Sequence, residues 1–288
     1  MSSEVPVFEA IKTEFPQNPL SALHLYTALY ASNVETIILG NQTMLNVVNH
    51  CNLYPGSIRR RNTEYMEVYF CGPLTSAGAI RIPDNAGKAF EQNTAVAEIF
   101  RDALIPQLEK ESMGMDIRLT LPGLVGLRDH EDQNSKWGEE NYNLFWLFYL
   151  SGIDPVSAML FDKKESTKYA VDRINDKKIP RELRRPAFQD LVDDFIAFAK
   201  NPKNGCRLNK MSKVVTLPDS ENSFGSQMEI KLAKGLGITV EEAKVNPEWI
   251  KNQDLWFNKY SGLNQLERSN FVLHEDSYIE SVSLNRIV

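Results

Sequence analysis

The chain has 288 residues, 42% of them hydrophobic and 24% charged, and 38 Asp+Glu outweigh 32 Lys+Arg for a net charge of −6. That balance is ordinary for a globular protein, and the length suits one large domain or two small ones. Cys51, Cys71 and Cys206 are far apart and form no CxxC pair, which excludes a disulfide framework and a zinc knuckle and leaves free thiols.

In chain order, residues 1–19 carry Pro6, Pro16 and Pro19 and read as an extended arm that packs on its own domain or on a neighbouring subunit. Leu20, Leu23, Leu25, Tyr26, Leu29 and Tyr30 have helical spacing, with Asn18 as a cap before Pro19. No basic region precedes this first apolar run, which contains His24, so no signal peptide is expected and the default location is intracellular, cytoplasmic or virion-borne. Residues 34–39 read as a short strand or a helical turn, and 43–50 as a helix. Residues 63–71 (TEYMEVYFC) are rich in aromatic and β-branched side chains, and AGAIRI at 77–82 follows a Gly-Pro turn, so the two are expected to form a β-hairpin. A helix capped by Asn93 or Thr94 runs to Glu111, kinked or divided at Pro106, and residues 117–121 alternate as a third strand. The polar loop 128–138 marks the boundary between two lobes.

Residues 141–161 (NYNLFWLFYLSGIDPVSAMLF) are the most apolar stretch of the chain. They predict a buried central helix, a turn at Ser151 and Gly152, and a second helix with Asp154 as cap and Pro155 at its first position. Gly152, Asp154 and Pro155 interrupt the run, so it cannot cross a bilayer, and no membrane is expected as a partner. Residues 166–176 read as a helix, 181–185 (RELRR) as a basic link, and 186–200 as an amphipathic helix with Phe188, Leu191, Val192, Phe195 and Ile196 on its apolar face. Residues 201–227 read as a loop, mobile or exchanged between subunits. Residues 226–236 and 239–244 are expected to be helices, the second starting at a Thr239/Glu242 capping box, and Asn246 and Pro247 start another. The expected fold is therefore mainly α with a small β-hairpin (α+β), a two-lobed helical domain. The expected divisions are an arm at 1–19, an N-terminal lobe with the hairpin at 20–127, and a helical C-terminal lobe at 139–288.

Charge is distributed unevenly. Residues 1–162 hold 11 Lys+Arg against 20 Asp+Glu, residues 163–213 hold 14 against 7, and residues 214–288 hold 7 against 11. The basic middle either attracts polyanions or pairs with the acidic flanks, within the fold or in an oligomer. The candidate phosphate-binding residues are Arg59, Arg60 and Arg61 before the first strand, Arg81, then Lys177, Lys178, Arg181, Arg184 and Arg185, then Arg207 and Lys210. Guanidinium groups grip phosphate oxygens through a planar fork. Tyr54, Tyr65, Tyr69 and Tyr169 nearby could supply stacking rings, which is how single-stranded nucleic acid is held without reading its sequence.

Other patterns are weaker. Asp129, His130, Glu131 and Asp132 are adjacent and cannot all face one ion, so a hydrated loop is expected and no metal. Ala233, Gly237, Ile238 and Ala243 have helix-turn-helix spacing, but Glu241 and Glu242 would repel phosphate on the reading helix, so structural packing is the better account. No GxGxxG after a strand, Walker loop, HExxH or GxSxG occurs, and no cofactor or catalytic residue is expected. The sequence thus points to a protein that binds single-stranded nucleic acid, RNA favoured, and assembles through its terminal arms, as a viral nucleocapsid or coat protein does. The alternatives are an enzyme acting on a phosphorylated or nucleotide substrate and a protein–protein interaction module.

Overall fold

The structure is a computed structural model and describes residues 22–30, 57–73, 89–122, 139–176, 178–243 and 285–286. Its helices are α1 (Ala22–Tyr30), α2 (Ala89–Glu111), α3 (Glu139–Ser151), α4 (Pro155–Asp162), α5 (Glu165–Asn175), α6 (Arg181–Lys200) and α7 (Phe224–Leu236). Its strands are β1 (Tyr65–Cys71), β2 (Asp116–Thr120), β3 (Lys213–Thr216), β4 (Thr239–Glu242) and the two-residue β5 (Asn285–Arg286). The chain divides into a helical unit, Met1–Thr63 with Val125–Met211 and Lys231–Gly237, and a sheet unit, Glu64–Leu124 with Ser212–Ile230 and Ile238–Val288.

The sheet overturns the expected fold class. Strands lie in the order β2-β1-β3-β4-β5, and the first four are all parallel. Only β5 runs antiparallel, beside β4. The fold is α/β, not a helical domain with a hairpin. All seven residues of β1 are buried, as befits a strand covered on both faces in a parallel sheet. Its neighbours are remote in sequence: Tyr65 pairs with Asp116 and Val68 with Lys213. Nothing local to TEYMEVYFC announces such partners, and a Gly-Pro turn beside it reads as a hairpin. Residues 77–82, the expected second arm of that hairpin, lie outside the described residues.

Three further expectations change for related reasons. Residues 239–242 form β4 rather than a capped helix, because Val240 is buried beside Val214 in the sheet and tertiary pairing overrides the capping-box spacing. The expected loop 201–227 contains β3, whose four residues are all buried, and the start of α7. Residues 181–185 are not a link: α6 runs unbroken through Pro186. Pro186 forfeits one helical N–H, but the buried face of Ala187, Phe188, Leu191, Val192 and Phe195 holds the helix, and Arg184 Nη1 donates to the Ile174 carbonyl at 2.7 Å. Pro106 likewise lies inside the undivided α2.

The apolar stretch folds as its sequence dictates. Asp154 caps α4, accepting hydrogen bonds from the Ser157 amide at 3.0 Å and the Ser157 hydroxyl at 2.7 Å, with Pro155 at the first helical position. Within the helical unit, Phe148 of α3 meets Tyr26 of α1 at 5.5 Å and Phe195 of α6 at 6.0 Å between ring centroids, and Phe161 meets Phe195 edge-on at 4.9 Å. These buried aromatics form the core of the unit.

Gly152 turns the chain between α3 and α4 at φ +56°, and a Cβ there would lie 1.8 Å from the Asn209 carbonyl oxygen. Gly205 has a similar φ of +62° with nothing near its Cβ position. Gly205→Ala is therefore expected to cost about 1 kcal/mol, the conformational penalty alone, and Gly152→Ala at least about 3 kcal/mol, because backbone must also move. Urea denaturation of the two variants checks this; equal losses would mean that the close approach at Asn209 carries no weight.

Candidate functional site

A helix ends with carbonyl groups that no helical amide can reach. At the end of α3 several of them find partners within the helical unit. The Gly152 amide donates to the Phe148 carbonyl at 2.9 Å, the Met211 amide to the Leu150 carbonyl at 3.0 Å, and the Asn209 amide to the Gly152 carbonyl at 2.8 Å. Ile153 bridges Leu208, and its carbonyl accepts from the Tyr26 hydroxyl. The Tyr149 carbonyl is taken by Arg61, whose Nη1 also reaches the Asn209 carbonyl at 3.3 Å. The Arg61 guanidinium lies 4.4 Å from the centroid of the Tyr149 ring, and the residue is 0% exposed. A buried cation is tolerated here because carbonyls and a ring face surround it and the α3 dipole is negative at this end.

These bonds bring two basic segments together. Asn209 Nδ2 donates to the Arg59 carbonyl at 2.9 Å, and Asn62 Nδ2 to the Lys210 carbonyl at 3.0 Å. Asp154 ties in the other end: its amide donates to the Arg207 carbonyl at 2.9 Å and its carboxylate accepts from the Arg207 amide at 3.0 Å. Residues 57–62, 148–154 and 207–211 thus form one junction within the helical unit. Arg59 and Arg207 are exposed on it and Arg60 is half-buried. Lys210 is half-buried and directs its Nζ to the Leu236 carbonyl at 2.8 Å, a cation on the last turn of α7.

The remaining predicted residues fall elsewhere. Arg184 and Arg185 lie on α6, half-buried and exposed respectively, and Lys178 is exposed in the turn before it. Arg181 begins α6. Arg81 and Lys177 lie outside the described residues, as do Asp129, His130, Glu131 and Asp132.

The junction also holds a residue that sequence reasoning counted only as a helical apolar position. Tyr30 ends α1, one turn beyond Tyr26, with the two rings 6.0 Å apart. It is half-buried. Burial and the Asp154 charge push its phenol pKa up, while the Arg207 and Arg61 charges oppose the rise. No local pattern could have flagged it, because its neighbours come from residues far along the chain.

The sheet unit carries a second polar cluster. Glu229 of α7 accepts hydrogen bonds from the Tyr69 hydroxyl at 2.8 Å and the Cys71 thiol at 3.1 Å. Burial raises its pKa from 4.5 to about 7 against the opposing effect of those two bonds. The Cys71 thiol is pushed well above its ordinary value, first by burial and then by the Glu229 charge. On the same strand face Glu67 accepts from the Thr120 hydroxyl at 2.9 Å. Lys213 lies buried between carboxylates, paired with Glu111 and, at 2.8 Å, with Glu241.

The division of the chain sorts its charge. The helical unit holds 21 Lys+Arg against 18 Asp+Glu, a net of +3, and the sheet unit 11 against 20, a net of −9. Among the described residues no helix is long and apolar enough to cross a membrane, and no group of three or more His, Cys, Asp or Glu is placed to hold a metal ion. Comparison with protein-family models, curated proteins and solved structures finds no match.

The Glu229 carboxyl gives a pH dependence with a definite sign. Its folded pKa of about 7 lies above the ordinary 4.5, so the folded chain holds the proton more tightly than the unfolded chain. Stability from this group therefore falls as pH rises from about 4.5 to about 7 and is level above, a loss of up to about 3 kcal/mol. Glu229→Gln keeps a hydrogen-bonding amide and abolishes the titration. Thermal melts of wild type and variant across that window should diverge steadily, the variant becoming relatively more stable toward neutral pH. Parallel curves would contradict the assignment.

Proposed function

We propose that this chain binds single-stranded nucleic acid, RNA favoured, through the phosphate backbone, as a non-enzymatic protein that assembles on its ligand in the manner of a nucleocapsid or coat protein. The observation that carries this reading is the junction. The segment that carries Arg59 and Arg60 is tied to the segment that carries Arg207 by side-chain-to-backbone hydrogen bonds across some 150 residues of sequence, as between Asn209 and Arg59. Arginines on two segments held together suit a string of phosphates, which guanidinium groups grip through a planar fork. Arg61 has another role, holding that turn from inside. The opposed charges of the two units, +3 and −9, support self-association, since a basic face of one copy can attract an acidic face of another.

One observation favours the enzyme reading. Tyr69 and Cys71 stand at the carboxyl end of β1, the strand at which the sheet order reverses direction, and Glu229 beside them titrates near neutrality. Ligands of parallel sheets bind at such reversal points. However, the Cys71 carbonyl at that end is already taken: the Leu217 amide donates to it at 2.7 Å and the Ser220 hydroxyl at 2.9 Å. Nucleic-acid binding remains the reading we adopt.

Fluorescence anisotropy with a labelled single-stranded RNA tests it. Wild-type affinity should fall steeply between about 50 and 200 mM salt, because each neutralised phosphate releases counterions. The Arg59→Glu/Arg60→Glu/Arg207→Glu variant should bind at least about tenfold more weakly with a shallower salt slope, while its melting temperature stays close to that of wild type. A flat salt dependence, or unchanged binding by the triple variant, would count against the junction as the interface.

A further inference from the structure

The sheet unit keeps a thiol under the start of a helix. Cys71, 0% exposed, ends β1 and reaches two groups of α7: its Sγ lies 3.5 Å from the Ser226 carbonyl and 3.1 Å from the Glu229 carboxylate. Glu229 is half-buried and also accepts from the Tyr69 hydroxyl at 2.8 Å. These two weak acids of β1 are the ionisable groups that face it, with Glu67 further along the same strand face. Among the described residues no cation pairs with Glu229. The turns of α7 that carry these groups are weakly held. The Ser226 amide donates to the Ser223 hydroxyl at 3.5 Å, a long bond for a helix cap. The Ser226 hydroxyl is buried and has no hydrogen-bond partner. Gly225, in the first turn, is a poor helix former with open space where a Cβ would lie. The rest of α7 is anchored separately: Lys231 Nζ pairs with Asp193 at 2.6 Å, and Lys210 Nζ donates to the Leu236 carbonyl at 2.8 Å.

We propose that residues 224–230 are a pH-sensitive cover over Cys71: ionisation of Glu229 lifts them from β1 and admits solvent to the thiol. A half-buried carboxylate with no cation beside it is costly, and water relieves the cost. Local opening is enough for that relief. It breaks the bonds to Tyr69 and Cys71 and two weakly capped turns, while the parallel sheet stays paired. Burial holds the covered carboxyl at about 7, against an ordinary 4.5, so protonation favours the covered form. Opening therefore grows as pH rises from about 4.5 to about 7 and levels off above that range, and between pH 6 and pH 8 the open fraction should rise roughly tenfold. The cover acts in the sheet unit and does not depend on nucleic-acid binding by the junction.

Alkylation by N-ethylmaleimide with peptide mapping reads Cys71 alone in the full chain. Its rate divided by the rate in the denatured chain at the same pH gives the open fraction, free of the thiol's own titration. In wild type that ratio should rise roughly tenfold from pH 6 to pH 8. Glu229→Gln removes the ionisable group and should hold the ratio level across the range. Gly225→Ala strengthens the first turn and should lower the ratio roughly three- to fivefold at every pH without changing its slope. A level ratio in wild type, a rise in Glu229→Gln equal to that of wild type, or no effect of Gly225→Ala overturns the cover. Hydrogen exchange at the two pH values separates local opening from general unfolding. Peptides covering 224–230 should lose protection relative to their intrinsic rates at the higher pH, while those covering β1 and 231–236 keep theirs; equal loss in all of them also overturns the cover.

Discussion

The helical unit depends on the disposal of the carbonyl groups at the end of α3. That helix is too apolar to end in water: every residue from Leu144 to Ser151 is buried, so its last carbonyls need partners from within the protein. Arg61 supplies one with a guanidinium, and the segment at 207–211 supplies others with its amides. The consequence reaches beyond α3. Satisfying these oxygens requires that two basic segments, remote in sequence, lie against one turn.

The same logic explains why Arg61 and its two neighbours differ although the sequence shows three identical residues in a row. A short turn of 3₁₀ helix at Ile58–Arg60 points successive side chains in different directions. Arg61, just past it, faces inward onto Tyr149, and Arg59 faces outward. A triple arginine read as one phosphate clamp is thus divided between the buried Arg61, the half-buried Arg60 and the exposed Arg59. Arg184 shows a similar division within the basic segment, since it bonds the end of α5 while Arg185 stays exposed.

What was legible in the sequence were features with local causes. The α3–turn–α4 unit was readable because Gly152, Asp154 and Pro155 each have a conformational reason to stand where they do, and α1, α5 and most of α6 followed from apolar periodicity. The parallel sheet was not readable. Its strands β3 and β4 are four residues each and draw their stability from partners far along the chain. KVVT lies in a polar surround that resembles a loop, and TVEE mimics a helix start. Of the candidate site, the residue types were visible and the meeting of their segments was not: the bonds that join 57–62 to 207–211 are made by Asn62 and Asn209, which look like ordinary turn residues. Tyr30 and Glu229 escaped for the same reason, since their environments come entirely from other segments.

The account stands or falls on the junction being one rigid element that meets its ligand as a unit. Hydrogen exchange followed by peptide mapping measures this directly, with and without a single-stranded RNA oligonucleotide. The amides of Asn209 and Met211, although outside any helix, should exchange as slowly as those in the last turns of α3, because they are bonded to its end. Peptides covering 57–62 and 207–211 should then slow together when RNA is added. Fast, loop-like exchange at 207–211 in the ligand-free protein, or protection of one peptide without the other, would contradict the claim that the two segments form a single site.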